Sequence, residues 1–422
     1  MQVEVNMINN DQSPEKVILV CVATEGSEDP EILLDELAEL VETAGGTEVG
    51  RVIQNRENAS PATYVGKGKI EEIRAFATEA GAAGIVCDDE LSPSQMRNLS
   101  EALEPLRVLD RTMVILDIFA DHASSSEGKL EVELAQLKYR AARIRALAGS
   151  YDRQYGLGMR GPGEKKLETD RRLIRERIAV LTNELKNVSK TREITRTLRS
   201  RKSLPLVSIV GYTNAGKSTL LNKLTGSEVL EEDKLFATLD TTVRSYISAT
   251  GQEILFSDTV GFIRKLPHHL VEAFKSTLDE ARYADIILQV ADASDPEIRA
   301  KMRVVRDTLR QLGISDKPVI TVFNKCDKLH LADLKDPEAD VSIMISAKTG
   351  MGLDLLTQSV EKIISESRHC FNGIIPYTHG SLVSDIRTRG QLLSEEYVAE
   401  GIKISAYVPP ELAGKLKEFE DR

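Results

Sequence analysis

The sequence contains no tryptophan, only four cysteines and no long hydrophobic run. Its longest apolar stretch, residues 17–23, is far shorter than the roughly 20 residues that a membrane-spanning helix needs. It also lacks the basic flank and cleavage site of a signal peptide. The cysteines are far apart and form no C-x-x-C pair, so we expect reduced structural thiols at Cys21, Cys87, Cys326 and Cys370. These absences predict no membrane span and a cytoplasmic location, with a peripheral membrane contact left open.

Charge is unevenly distributed along the 422 residues, which are enough for about three domains. Apolar residues make up 41% and charged residues 29%, as is typical of a globular protein, and the net charge is −11. Residues 138–202 contain 19 Lys and Arg against 7 Asp and Glu, a local charge of +12 that leaves −23 for the rest. The overall acidity argues against nucleic acid, but this one segment predicts a polyanionic partner.

Residues 16–120 alternate between patterns typical of strands and patterns typical of helices. We expect strands at residues 16–24, 83–89 and 113–119 and helices at residues 29–45 and 70–82. This order predicts a small parallel sheet with helices packed on it.

Two short segments in this region resemble functional sites. GKGK at residues 66–69 precedes a predicted helix and could hold a phosphate, but it lacks a complete phosphate-loop pattern, so we favour a structural turn. Asp117, Asp121 and His122 could be taken for metal ligands. Polar residues at strand ends are far more common than metal sites, so we predict no metal here.

Two apolar seams with heptad spacing follow, and they predict an antiparallel helical hairpin. The seam residues are Leu130, Leu134, Leu137, Ala141 and Ile144, and then Ile174, Ile178, Leu181, Leu185 and Val188.

The loop between the seams is rich in glycine and also contains tyrosine and arginine. Such a tip can follow a phosphate backbone and stack on unpaired bases. A basic cluster, which includes Arg177, follows it. The alternative is a solvated coiled coil with a floppy tip, but the charge of the segment favours RNA. The candidate RNA-binding residues are Tyr151, Arg153, Tyr155, Arg160, Arg171, Arg172 and Arg175.

Residues 204–221, LPLVSIVGYTNAGKSTLL, pass from branched apolar residues through a loop to a leucine-rich helical pattern. The loop matches G-x-x-x-x-G-K-[ST], so its backbone N–H groups can surround a polyphosphate at the positive end of the helix. Lys217 would reach the β- and γ-phosphates and Ser218 would bind Mg²⁺. The predicted nucleotide-binding residues are Gly211, Tyr212, Thr213, Asn214, Ala215, Gly216, Lys217, Ser218 and Thr219.

Three further segments follow in the order that a guanine-nucleotide site requires. In D-x-x-G, Asp258 would join the Mg²⁺ shell through water and the Gly261 N–H would reach the γ-phosphate. In N-K-x-D, the Asp327 carboxylate can accept both N–H groups on the guanine edge, whereas adenine presents a lone pair there. The backbone of S-A-K can meet the guanine carbonyl. The predicted base-binding residues are Asn324, Lys325, Asp327, Ser346, Ala347 and Lys348.

Two positions bear on the hydrolysis mechanism. Phe262 follows D-x-x-G, where many relatives carry a glutamine that orients water, and a phenyl ring cannot polarise water. Catalysis must then use another group, a backbone-held water or a partner. Asn214 resembles the asparagine that helps to hold a potassium ion near the β- and γ-phosphates in several translation-linked GTPases. Such a cation could replace the charge of an arginine finger.

The motifs GYTNAGKS, DTVGF, NKCD and SAK resemble those of translation-factor-class GTPases. YVGKGKIEEI, LDRTMVILDIFADHA and RGPGEKKLETDRRLIRERI are similar to segments of the HflX family. The resemblance runs over about residues 52–346, and EGIKISAYVPPELAGKL near the carboxyl end also fits. It implies GTP hydrolysis coupled to the large ribosomal subunit and its rRNA, in ribosome splitting, rescue or maturation.

The resemblance also places a catalytic, Mg²⁺-binding threonine at Thr238, although Thr241 and Thr242 are close enough to leave that choice open. With Lys217 and Gly261, Thr238 completes the predicted catalytic set. Two other functions remain open at this point. One is a GTP-dependent RNA-binding partner of an RNA-modifying enzyme, and the other is a signalling switch without RNA.

We therefore predict a monomeric α/β protein built around a P-loop GTPase domain. The expected parts are an amino-terminal α/β domain with a parallel sheet (1–127), a basic antiparallel helical hairpin (128–202), the GTPase domain (203–370) and a small carboxy-terminal α+β region (371–422). Mg²⁺ is the expected cofactor, with K⁺ as a second ion.

Overall fold

The computed structural model describes residues 14–26, 28–154, 162–202, 204–226, 235–239, 242–248, 251–267, 270, 280–328, 334–366 and 368–420. The chain consists of two compact units. The first contains Met1–Lys186 with Lys265–Phe274, and the second contains Asn187–Arg264 with Lys275–Arg422.

The first unit contains a four-stranded parallel sheet with strand order β2-β1-β3-β4. Its strands are β1 (Glu15–Ala23), β2 (Gly46–Asn55), β3 (Gly84–Cys87) and β4 (Arg107–Asp110). Its helices are α1 (Pro30–Thr43), α2 (Lys67–Ala80), α3 (Pro93–Leu103), α4 (Arg111–His122), α5 (Ser126–Gln154) and the first part of α6 (Pro162–Lys202). The predicted parallel α/β region is confirmed, and β2 and β4 are additions to the predicted strands.

The prediction of a strand at residues 113–119 was wrong, because these residues lie in helix α4. The Asp110 carboxylate caps this helix by accepting a hydrogen bond from the Met113 N–H at 3.0 Å. Val114, Ile115 and Ile118 are buried, so the apolar residues face the core at helical spacing. A short apolar run does not distinguish a buried strand from a buried helix, which explains the error.

The GKGK segment forms the start of α2, with Gly66 as its N-cap residue. The Gly66 N–H donates to Gln54 Oε1 at 2.8 Å, which ties this turn to β2. Asp117, Asp121 and His122 lie on α4 rather than at a strand end. Among the described residues, no group of three His, Cys, Asp or Glu side chains could hold a metal ion.

Helices α5 and α6 form the predicted hairpin. Leu134 of α5 and Leu181 of α6 are buried seam residues. Arg177 forms two hydrogen bonds with the Glu133 carboxylate, at 2.7 and 2.8 Å, which join the two helices. This pairing raises the pKa of Arg177. Arg177, which the sequence analysis included in the basic cluster, therefore pairs with a carboxylate inside the hairpin.

The second unit contains a six-stranded sheet and a separate three-stranded sheet. The strands of the first are β5 (Leu206–Gly211), β6 (Thr242–Ile247), β7 (Glu253–Asp258), β8 (Ile286–Asp292), β9 (Val319–Asn324) and β10 (Val341–Met344). Those of the second are β11 (His369–Ile375), β12 (Gln391–Val398) and β13 (Gly401–Val408). The helices are α7 (Lys217–Thr225), α8 (Ile298–Gln311), α9 (Leu353–Glu366), α10 (Gly380–Arg389) and α11 (Pro410–Leu416).

The six-stranded sheet has the order β10-β9-β8-β5-β7-β6, and β6 is its antiparallel edge strand. Strand β5 is buried at every residue and pairs with β7 on one side and β8 on the other. Parallel strands end at the same edge of a sheet, so Gly211, Asp258 and Asn324 are brought to one edge. The three-stranded sheet is antiparallel and packs with α10 and α11, as the predicted α+β region requires.

No helix within the described ranges is both long enough and apolar enough to cross a bilayer.

Asp110 generates a stability prediction, because its fully buried carboxylate accepts four hydrogen bonds. The donors are Leu91 N and Met113 N, both at 3.0 Å, and Tyr139 Oη and Arg143 Nη2, both at 2.7 Å. Asp110→Ala should lower the free energy of opening of α4 by about 3–5 kcal/mol, because it leaves a nearly buried arginine without its carboxylate. Native-state amide hydrogen exchange measures this.

The control is Asp35→Ala. Asp35 lies on α1, and its exposed carboxylate pairs with Arg51. The substitution should change the same free energy by less than about 1 kcal/mol. Equal effects of the two substitutions would contradict the role given to Asp110.

Candidate active site

The glycine-bounded loop joins β5 to α7 as predicted. Asn214 and Gly216 have left-handed backbones, with φ of 59° and 89°. Such a conformation is easy for glycine and is better tolerated by asparagine than by most other residues. The loop therefore turns sharply and places Lys217 and Ser218 in the first turn of α7, where free backbone N–H groups point outward.

Lys217 is 6% exposed, and its Nζ atom donates to the main-chain oxygen of Tyr212 at 2.9 Å. Burial lowers the pKa of this ammonium group to about 8, and the Asp258 carboxylate opposes the shift. An anion stabilises the charged form of a buried ammonium group more than that of an exposed one. The side chain is therefore prepared for the charge of a polyphosphate.

Three oxygen-bearing side chains converge beside Lys217. Ser218 Oγ donates to Asp258 Oδ2 at 2.7 Å and lies 2.8 Å from Thr238 Oγ1. Asp258 is fully buried, and burial raises the pKa of its carboxyl group against the lowering effects of Lys217 and the hydrogen bonds. A desolvated carboxylate with two hydroxyls is the type of oxygen set that Mg²⁺ prefers. Of the three threonines left open by the sequence, Thr238 lies in this group, Thr242 begins β6 and Thr241 lies outside the described residues.

The D-x-x-G segment is paired with the phosphate loop through the main chain. Phe262 N donates to Gly211 O at 3.1 Å, and Thr213 N donates to Phe262 O at 2.9 Å. A Cβ atom on Gly261 would lie only 2.7 Å from Thr213 Cγ2 and 3.1 Å from Lys217 Nζ. Only glycine fits at this position, which lies beside the Lys217 ammonium group. The Phe262 side chain is buried.

The base-recognition residues form a hydrogen-bonded group. Asn324 donates to Ala215 O and accepts from Ala347 N, both at 2.9 Å. Asp327 Oδ1 accepts from Ser346 Oγ at 2.6 Å, and this bond lowers the pKa of Asp327. Asp327 is exposed, so its carboxylate is ionised and accessible at neutral pH.

Lys325 adds a second tie to the phosphate loop. Its Nζ atom lies 2.9 Å from Asn214 O and 2.9 Å from Asp292 Oδ2. The lysine has a φ of 63°, which is unusual for a residue other than glycine. Asp292, at the end of β8, thus helps to hold the N-K-x-D motif, a role that the sequence did not indicate.

These groups enclose a cavity of about 440 Å³. The predicted residues that line it are Thr213, Asn214, Gly216, Lys217, Ser218, Thr219, Thr238, Gly261, Asn324, Lys325, Asp327, Ala347 and Lys348. Phe236, Ala237 and Lys328 also line it and were missed. The sequence could have indicated them only by position, since Phe236 and Ala237 precede Thr238 and Lys328 follows Asp327. Tyr212 is not among the lining residues, and its side chain is buried.

The candidate RNA-binding residues are described only in part. Arg172 and Arg175 are exposed on α6, and Arg171 is half-buried. Arg172 lies 3.7 Å from Glu176, a loose contact between exposed side chains. Tyr151 and Arg153 lie on α5, and Tyr155 and Arg160 lie outside the described residues.

Comparison with known families divides the chain into three matched regions. Residues 31–120 match the family described as GTP-binding GTPase N-terminal, and residues 122–199 match GTP-binding GTPase Middle Region. Residues 206–325 match the family described as 50S ribosome-binding GTPase.

Curated relatives match over nearly the whole chain. The GTPase HflX of Lacrimispora saccharolytica is 56% identical over 409 residues, covering 96% of each chain. The GTPase HflX of Escherichia coli is 39% identical over 407 residues, covering 95% of each. The chain belongs to the HflX family of GTPases. A GTP-binding protein from Sulfolobus solfataricus, solved with GDP, is 25% identical with a TM-score of 0.43, and the match covers 83% of this chain and 99% of that one.

Membership of the HflX family confirms the resemblance read from the motifs, and it makes the chain a GTPase. The cavity contains groups suited to both ends of the substrate. Lys217 lines it at the start of α7, where we expect the phosphates, and Asp327 lines it where we expect the base. The individual roles of these residues remain predictions.

Asp327 generates a test of base recognition. Asp327→Asn replaces an acceptor by an amide, so GTP binding should weaken by about 2 kcal/mol or more, because hydrogen-bonding groups are left unpaired. Xanthosine triphosphate should bind the variant better than GTP does. Titration with fluorescent nucleotide analogues measures both affinities.

The control for this test is Asp316→Asn, which makes the same change at an exposed aspartate that does not line the cavity. It should leave GTP affinity unaltered. Unchanged GTP affinity in Asp327→Asn would remove Asp327 from the base site.

Proposed function

We propose that this GTPase binds the large ribosomal subunit and its rRNA, and that it couples GTP binding and hydrolysis to ribosome splitting, rescue or maturation. The carrying observation is the match of residues 206–325, which include the phosphate loop and N-K-x-D, to the family described as 50S ribosome-binding GTPase. A cytoplasmic monomer is part of the same proposal.

The basic hairpin supports an RNA partner. Helix α6 runs for 41 residues, and its exposed face carries Arg172 and Arg175. Arg177 is engaged with Glu133, so these two arginines are better placed to meet phosphates. Positive charge on a long helix attracts a nucleic-acid backbone without reading its sequence. In the proposal, the hairpin supplies affinity, and the nucleotide site controls when the subunit is bound.

The residues at the phosphate end fit a Mg²⁺ ion. In the proposal Ser218 and Thr238 would hold it directly, and Asp258 would hold it through water. When bound, the ion would neutralise charge on the β- and γ-phosphates. Lys217 would bind the same phosphates, and the Gly261 N–H would orient the γ-phosphate.

The residue after Gly261 has no polar side chain that could orient the attacking water. Phe262 is 1% exposed, so its ring packs in the protein interior and does not reach into the cavity. In the proposal the isolated protein hydrolyses GTP slowly, and the ribosomal subunit completes the site.

A potassium ion near Asn214 is a further part of the proposal. Asn214 is exposed and lines the cavity, so its side-chain oxygen is accessible to a cation. Hydrolysis should be at least about tenfold faster in K⁺ than in Na⁺, because a well-placed cation stabilises the developing charge by a few kcal/mol. Asn214→Gly keeps the left-handed backbone and should abolish the difference. Equal wild-type rates in both salts would contradict a potassium site.

Co-sedimentation with purified large subunits tests the ribosomal partner. The GTP-bound form, held with a non-hydrolysable analogue, should sediment with subunits more strongly than the GDP-bound form. Arg172→Glu with Arg175→Glu should weaken binding. It should also flatten the salt dependence by about 0.7–0.9 in log affinity against log salt for each phosphate that the variant no longer neutralises.

The matched control is Arg303→Glu with Arg310→Glu, which makes the same change in charge on the exposed face of α8. It should weaken binding much less. Equal weakening by both pairs would place the affinity outside the hairpin. Binding to unrelated RNA as strong as binding to subunits would favour an RNA-binding partner of a modifying enzyme instead.

A further inference from the structure

Tyr212 lies inside the phosphate loop, yet its side chain turns away from the nucleotide cavity. It is 5% exposed, and Lys301 Nζ lies 5.1 Å from the centre of its ring. That lysine is itself paired with Asp295 at 2.5 Å. In a G-x-x-x-x-G-K-[ST] loop the variable positions contribute backbone N–H groups to the phosphates, so nothing in that pattern requires a tyrosine hydroxyl here.

The hydroxyl has a specific partner in the segment that follows D-x-x-G. Arg264 N donates to Tyr212 Oη at 2.8 Å, in a buried position. The Arg264 side chain also pairs with Glu297 at 2.9 Å. Arg264 is three residues beyond Gly261, whose N–H is the group expected to orient the γ-phosphate. Tyr212 therefore connects the phosphate-binding loop to the γ-phosphate segment through a side chain.

This bond adds to the two main-chain bonds at Phe262. Those bonds join Phe262 to Gly211 and Thr213, the residues on either side of Tyr212. Main-chain bonds form with any side chain in place, whereas the bond to Arg264 exists only because residue 212 carries a hydroxyl. The phosphate loop thus holds the segment after D-x-x-G at two residues, Phe262 and Arg264. Only the bond at Arg264 depends on the identity of a side chain.

We propose that Tyr212 is a positioning residue for GTP hydrolysis: its hydroxyl holds the Arg264 amide, so that Gly261 and Phe262 keep the arrangement needed at the γ-phosphate. The residue does not touch the reacting atoms. GDP has no γ-phosphate to meet Gly261, so GDP binding does not need this arrangement. The effect of losing the hydroxyl should consequently fall on the hydrolysis step.

The test is Tyr212→Phe, which removes one oxygen atom and keeps the ring. It leaves the buried Arg264 N–H without its acceptor, so the single-turnover rate of GTP hydrolysis at saturating protein should fall by about 5- to 100-fold. GDP affinity, measured with a fluorescent analogue, should stay within about twofold. Hydrogen exchange at the Arg264 amide should accelerate.

Tyr246→Phe is the matched control, because Tyr246 is a half-buried tyrosine of the same unit on β6, with its ring against Phe256. It should leave rate and GDP affinity unchanged. A Tyr212→Phe hydrolysis rate within about twofold of the wild type would overturn the proposal. A parallel loss of rate and GDP affinity would also overturn it, since that pattern indicates a structural role in the loop.

Discussion

The nucleotide site depends on the amide of Asn324, which joins three loops that are far apart in sequence. Its nitrogen donates to Ala215 in the phosphate loop, and its oxygen accepts from Ala347 in S-A-K. The side chain is 2% exposed, so neither bond can be replaced by water without opening the site. Because an amide is both donor and acceptor, one residue can set the distance between the phosphate end and the base end of the cavity.

Buried charge is the second constraint on this site. Lys217 and Asp258 lie close enough to shift each other's pKa, and burial acts against the charged form of both. Each gains from an opposite charge brought by substrate or ion, so binding relieves a cost that folding created. The same logic does not apply to Asp327, which is exposed and kept ionised by Ser346. We therefore expect electrostatic attraction to dominate binding at the phosphate end of the cavity, and hydrogen-bond geometry to select the base at the other end.

Much of the fold could be predicted from the periodicity of the sequence, and the errors of that prediction have a common cause. The hairpin seams and the alternation of strands and helices have long, regular patterns, and these were predicted well. The segment 113–119 is too short for its period to be read, and it became a helix because Asp110 caps it and buried neighbours receive its apolar face. Strands β2 and β4 contain few consecutive apolar residues and are held by pairing with β1 and β3. Such pairing is a tertiary contact that local sequence does not express.

The sequence by itself determined the chemistry of the site, because fixed spacings within G-x-x-x-x-G-K-[ST], D-x-x-G and N-K-x-D dictate which local groups can face a nucleotide. It could not show that the Thr238 hydroxyl meets Ser218, that Asp292 holds Lys325, or that the Tyr212 hydroxyl reaches Arg264. These pairs are separated by 20 to 52 residues along the chain. They come together only when the parallel strands end at one edge of the sheet, since that alignment, and not any local pattern, sets which loops are neighbours.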